Sequence, residues 1–143
     1  MSTINKDYLT KLSEALSTLD IEEIDKAVDL VKTTLLKGRS VFTCGNGGSS
    51  ATATHYVNDW TKGFSEISGV KSKAICLNDN IAVLTAIAND ICYDDVFSFQ
   101  LDKLARSEDL LIVISGSGNS KNIIKAIKRA KEMNLKVIGV LGY

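Results

Sequence analysis

Apolar residues recur at helical spacing from the start of the chain: Leu9, Leu12, Leu16 and Leu19, then Ile24, Ala27, Val28, Val31 and Leu35. Steps of three and four residues stack side chains on one face, so two amphipathic helices lead the chain. Asp20 stands where it caps the second helix, and Glu23 is placed to reach back to it as in a capping box. Gly38 closes that helix where a left-handed residue is most easily accommodated. Beyond it the pattern changes. Short apolar runs at 41–44, 73–77, 110–114 and 136–141 alternate with helix-compatible stretches at about 50–62, 80–89, 96–106 and 121–134. Strand, helix, strand in regular alternation predicts an α/β domain with a parallel sheet. Right-handed crossovers then put helices on both faces, in a three-layer α/β/α sandwich.

The 143 residues fit one domain over 1–143, with residues 1–38 as the leading helices and 39–143 as the α/β core. With 45% hydrophobic and 24% charged residues the chain is neither disordered nor membrane-like, and no apolar run is long enough to cross a bilayer. The N-terminus lacks the apolar core of a secretory signal, which predicts a cytoplasmic protein. Lys plus Arg and Asp plus Glu both number 17, so no net positive field is available for a nucleic acid backbone. Nucleic acid and membrane partners are not expected. Cys44, Cys76 and Cys92 are an odd set without CxxC spacing and read as small core residues.

The chemistry concentrates in two loops. The first predicted strand runs into Cys44-Gly45-Asn46-Gly47-Gly48-Ser49-Ser50, and the third into Ile114-Ser115-Gly116-Ser117-Gly118-Asn119-Ser120. Each opens a helix, so both belong at the carboxyl edge of the sheet, where open parallel sheets bind ligands, above all where the strand order reverses. A helix N-terminus offers free N–H groups and a favourable dipole to an anion, and glycine lets the backbone come close. Serine hydroxyls add donors without charge. Such a pair forms a phosphate cradle in a neutral protein. A Rossmann loop is not matched, because Ser50 stands where its third glycine belongs, and the Gly-Lys-Ser/Thr ending of a Walker loop is missing.

After the first loop, His55 and Asp59 lie four apart on one helical face, a pair suited to acid–base work or to sharing a metal. His55 is the single histidine, and two ligands are too few for a tight zinc site. Asn89 and Asp90 end the helix that begins near Asn80, in a position typical of capping and turn residues.

Taken in order, Gly45-Asn46-Gly47-Gly48-Ser49, His55 with an acid four residues later, the run from Leu84 to Asp90, and Ser115-Gly116-Ser117-Gly118-Asn119-Ser120 resemble the phosphoheptose isomerases of the sugar isomerase (SIS) family. The resemblance covers nearly the whole chain. It implies a flavodoxin-like SIS fold, a homotetramer to which the leading helices contribute, and sites at subunit boundaries. It implies that Asn46, Gly47, Gly48, Ser49, Asn89 and Asp90 contact substrate, and that Ser115, Gly116, Ser117 and Ser120 hold its phosphate. Asp59 matches the catalytic acid–base glutamate, one methylene shorter. His55 matches a histidine that binds zinc in some members, so zinc, with His55 and Asp59 as ligands, is the one cofactor implied. The implied reaction converts sedoheptulose 7-phosphate, a phosphorylated heptulose, into D-glycero-D-manno-heptose 7-phosphate, in heptose biosynthesis for surface polysaccharide. Two departures accompany it. Thr52 stands near the place of a family aspartate, and the chain stops after its fourth strand, short of a strand and a helix bearing a glutamine and a second histidine. A SIS module that binds a sugar phosphate without turning it over, or serves as a scaffold, is the alternative.

Overall fold

The computed structural model describes residues 3–142 and divides the chain into two compact units, Met1–Leu30 and Val31–Tyr143. The division falls within the second helix.

In the first unit, α1 spans Thr3–Ser17, and α2, Ile21–Leu36, begins there. The cap at Asp20 forms by one arm of the box only: its Oδ1 accepts the Glu23 N–H at 3.1 Å, while the Glu23 carboxylate turns instead to Lys26 Nζ at 2.6 Å. A charged partner one turn on outcompetes the backbone. The leucine stripe exists as predicted but stays uncovered in the single chain: Leu9, Leu12, Leu16 and Leu19 are all exposed.

In the second unit, Gly38 takes the left-handed conformation expected of it, φ 66°. Four parallel strands follow: β1 (Val41–Gly45), β2 (Ala74–Cys76), β3 (Leu110–Ser115) and β4 (Lys136–Leu141), in the order β2-β1-β3-β4. The helices are α3 (Gly48–Asp59), α4 (Ser65–Ser68), α5 (Ile81–Asp90), α6 (Ser98–Leu104) and α7 (Lys121–Glu132). A π turn, Trp60–Phe64, joins α3 to α4, so the predicted helix runs on past Lys62. Its longer repeat coincides with the Ser65 hydroxyl donating to the Trp60 carbonyl at 3.2 Å.

The chain steps one way from β1 to β2 and the other way from β2 to β3, which places the connecting helices on opposite faces. Phe42, Cys44, Leu111 and Val113 pack on Ile87, Leu101, Ile123 and Ala126 of α5, α6 and α7. On the other face Cys76 and Ile114 pack on Ala53 of α3, and the buried Thr43 hydroxyl donates to the Ala53 carbonyl at 3.0 Å. Strands β1 and β3 are buried along their whole length, as continuous apolar runs in a central parallel sheet require. At their amino ends the buried Asp109 carboxylate accepts the Ser40 and Arg106 N–H groups, both at 2.8 Å. Cys44 and Cys76 are core residues, and burial pushes the Cys44 thiol up, out of reach of ionisation at neutral pH. No helix among the described residues is long and apolar enough to cross a membrane.

Candidate functional site

The strand order reverses between β1 and β3, so the crevice at their carboxyl ends is the place where an open α/β sheet receives a ligand. Both glycine loops issue there. Gly45 is the register partner of Ile114, which starts the loops side by side, about one strand spacing apart.

The first loop is drawn tight by its glycines. A β-carbon on Gly45 would lie 2.6 Å from the Ser49 backbone, and Gly47, the residue before α3, has φ 54°. Asn78 brackets Gly45 like one more strand residue: its Nδ2 donates to the Gly45 carbonyl at 2.9 Å, and its Oδ1 accepts the Gly45 N–H at 3.2 Å. Asn46 makes a reciprocal amide pair with Asn122 of α7, at 3.0 and 2.9 Å, and its Oδ1 also accepts the Tyr93 hydroxyl at 2.9 Å. Gly48 and Ser49 begin α3 with nothing within 4 Å of a β-carbon on Gly48.

In the second loop the serines shape the turn as acceptors. The Gly118 N–H donates to Ser115 Oγ at 3.1 Å and the Asn119 N–H to Ser117 Oγ at 3.3 Å, which leaves both hydroxyl protons to point elsewhere. Gly118 has φ 66°, and the Gly116 carbonyl accepts the Gly142 N–H at 3.2 Å, which ties the loop to the end of β4. Ser120 precedes α7 but makes no capping bond with its side chain, so its hydroxyl does not occupy the helix N-terminus. This arrangement suits an oxyanion: a loop of serine hydroxyls and glycines leads into a helix start whose N–H groups no side chain of Ser120 caps.

The remaining predicted residues lie outside that cradle. His55 Nε2 and Asp59 Oδ2 are 3.5 Å apart on one face of α3, as the spacing requires, but both side chains are exposed, at 71% and 58%. Their polar partners are each other and Asn58, whose Nδ2 donates to Asp59 Oδ1 at 3.2 Å. Among the described residues no third His, Cys, Asp or Glu joins them. The donor set therefore does not fit a tight zinc site, which needs three or four ligands. Asn89 and Asp90 are exposed at the end of α5, with Asn89 Nδ2 donating to Asp90 Oδ1 at 2.8 Å. They stand shortly before Tyr93, whose hydroxyl does reach the first loop.

Sequence reading overlooked Asn78, Tyr93 and Asn122 as parts of the site. The signal for Asn122 was present: a polar residue on the buried stripe it shares with Ile123, Ala126 and Ala130. Two hollows, of about 550 and 300 Å³, lie toward β2, around Ile75, Val83 and Phe99 and around Thr54, Asn58 and Asp79. Neither is lined by a residue of either glycine loop.

The two glycine–serine loops at the switch point of a 2-1-3-4 parallel sheet are accompanied by a match of residues 6–142 to the family described as SIS domain; the chain belongs to that family. Within it the chain stands among the phosphoheptose isomerases. It is 44% identical to the phosphoheptose isomerase of Campylobacter concisus over 119 residues, 83% of this chain and 62% of that protein. It is 40% identical to the probable phosphoheptose isomerase of Thermoplasma acidophilum, over 96% of this chain and 75% of that one. The solved phosphoheptose isomerase of Neisseria gonorrhoeae superposes with a TM-score of 0.82 at 33% identity, over 97% of this chain and 75% of that chain. That of Francisella tularensis gives 0.84 at 28% identity, over 99% and 76%. The chain thus spans from 62% to 76% of the length of these relatives.

Proposed function

We propose that this chain is an aldose–ketose isomerase that interconverts sedoheptulose 7-phosphate and D-glycero-D-manno-heptose 7-phosphate, a step in heptose biosynthesis for surface polysaccharide. The observation that carries the reading is the pairing of two Gly/Ser loops on adjacent central strands, each opening a helix, in a chain about 40% identical to phosphoheptose isomerases. Ser115, Ser117 and Ser120, with the backbone at Gly116 and the start of α7, hold the phosphate. Asn46, Gly47, Gly48 and Ser49 contact the sugar, with Asn89 and Asp90 on the neighbouring segment. Asp59 acts as base: it takes the proton from C1 of the ketose, next to the C2 carbonyl, to give an enediolate. The proton returns to C2 while a hydroxyl proton passes from O1 to O2, and the aldose results. A positioned carboxylate contributes about 10²–10⁴ to such a step.

The exposure of His55 and Asp59 in the single chain favours a site completed by a second subunit, consistent with the uncovered leucine stripe of α1 and with assembly as a homotetramer. The same exposure, together with the shorter acid, is what a non-catalytic sugar-phosphate-binding module would carry. Incubation with sedoheptulose 7-phosphate in D₂O, followed by proton NMR, separates the two. Aldose formation with deuterium entering at C2 supports the isomerase; binding with neither aldose nor exchange supports the module.

A further inference from the structure

The polar groups between the two loops satisfy one another in a way that fixes what is left for a ligand. Asn122, in the first turn of α7, is only 2% exposed. Its Oδ1 accepts the Ile123 N–H at 3.0 Å, and only an oxygen can take that bond, so the orientation of the amide is set. Its Nδ2 therefore faces Asn46 Oδ1 at 2.9 Å, and Asn46 Nδ2 returns a bond to Asn122 Oδ1 at 3.0 Å. The Tyr93 hydroxyl supplies a second bond to Asn46 Oδ1, at 2.9 Å. Both lone pairs of that oxygen are then used, and Asn46 keeps one N–H to offer outward.

We infer that Asn122 and Tyr93 are positioning residues that lock the first glycine loop to the start of the helix opened by the second, and that present Asn46 to a ligand solely as a hydrogen-bond donor. The inference rests on the phosphate-binding reading of the two loops. Residues 46 and 122 lie 76 positions apart, so the lock joins the two halves of the crevice rather than bracing one turn. Asn46 then selects an acceptor oxygen, such as a sugar carbonyl, a hydroxyl lone pair or a phosphate oxygen, and discriminates against a donor in the same place.

Two variants test this. Asn122→Asp keeps the volume, keeps an oxygen for the Ile123 N–H, and puts negative charge where a helix N-terminus favours it, which offsets part of the cost of burying it. The ionised carboxylate, however, sets an oxygen against Asn46 Oδ1. Tyr93→Phe removes one bond at an exposed ring. In the ligand-free protein, amide exchange of residues 45–50 will quicken about tenfold in both variants relative to α6. Unchanged exchange overturns the lock. In calorimetric titrations with sedoheptulose 7-phosphate, each variant will bind roughly five- to tenfold more weakly than wild type. The deficit of Asn122→Asp against wild type at the same pH will shrink as the buffer is lowered from about 7 to about 3.5, below the ordinary aspartate value of about 3.9, because a protonated carboxyl restores the lost donor. The other ionisable groups there, Lys121 and Lys125 on α7 and Tyr93, Asp94 and Asp95 across from it, are common to both proteins. A merely structural role lowers the melting temperature without this recovery, and unchanged affinity or a pH-independent deficit overturns the positioning role. If wild type binds neither sedoheptulose 7-phosphate nor inorganic phosphate, the phosphate reading fails and the ligand half of the inference with it, while the exchange measurement still decides the lock.

Discussion

A β-carbon on Gly45 would stand 2.6 Å from both the carbonyl carbon and the oxygen of Ser49. The end of β1 and the first turn of α3 approach each other as closely as two backbones can, and no side chain at 45 fits between them. Gly45→Ala will cost about 1–3 kcal/mol in urea unfolding, as overpacking of a tight contact does. Gly48→Ala, with nothing within 4 Å, will leave stability unchanged or raise it by up to about 1 kcal/mol, since alanine suits a helix better than glycine. Gly48→Ala will nevertheless weaken sugar-phosphate binding, which separates a glycine kept for the ligand from one kept for the fold.

On the proposed reading the two loops offer hydroxyl and helix-end donors to an oxyanion. Sedoheptulose 7-phosphate will therefore raise the melting temperature, while unphosphorylated sedoheptulose at the same concentration will not. At about a hundred times Kd the native state gains about 2.7 kcal/mol by mass action. Ser117→Ala or Ser120→Ala will remove about 1–3 kcal/mol of binding, the range for a hydrogen bond to a charged acceptor. Equal shifts from the phosphorylated and free sugars would show that the loops do not read the phosphate.

Asp59→Asn keeps the size of the side chain and removes the proposed base. Isomerisation of sedoheptulose 7-phosphate will fall by at least about 10² while phosphate-dependent binding persists. Asp59→Glu, which restores the missing methylene, will raise the rate, since an ångström of displacement at a base is worth about a hundredfold. Turnover that survives Asp59→Asn places the base elsewhere.

The parts of this architecture that depend on periodic burial were legible in the sequence. All four strands stand where apolar runs announced them, because β1 and β3 are buried on both faces and read as unbroken hydrophobic stretches. Both glycine loops were legible as turns, because glycine and serine between a strand and a helix supply the conformations that a sharp strand-to-helix turn needs. Asn78 and Tyr93 were not legible, since each does its work through a partner far along the chain, and Asn122 showed only as a polar residue on a buried stripe, with nothing in the segment to name its partner. The exposure of His55 and Asp59 was hidden too, because helical periodicity says that two residues share a face but not which way the face points.

Asp102 pairs with Lys103 Nζ at 2.7 Å and with the Arg129 guanidinium, so α6 and α7 are joined by charge. These partners, the Lys103 hydrogen bond foremost, hold its carboxyl below the ordinary 3.8, at about 2. A depressed folded value means a contribution present above the unfolded value and lost as pH falls through the folded one. The melting temperature of wild type will thus exceed that of Asp102→Asn near neutral pH, and the gap will close between about pH 4 and pH 2. The cluster is only half-buried, so salt will shrink the gap as well.

Leu9, Leu12 and Leu16 are 56%, 41% and 58% exposed, a stripe too apolar to face water in an isolated chain. Light scattering at micromolar concentration will give a mass several times that of one chain, and Leu12→Glu with Leu16→Glu will lower it without loss of helical circular dichroism. A monomer mass for wild type would remove the shared site as well as the tetramer.

The pairing of β1 with β3 has a kinetic side. Val41 and Leu110 are register partners, yet β2 and its helices lie in the chain between them. Contacts of such long range are slow to form, because the entropy of closing the loop is lost before any pairing offsets it. The β1–α3–β2 segment can assemble locally, but it carries half a cradle. On the proposed reading, a phosphorylated ligand therefore has no complete site until β1 and β3 have paired, however early either loop takes shape.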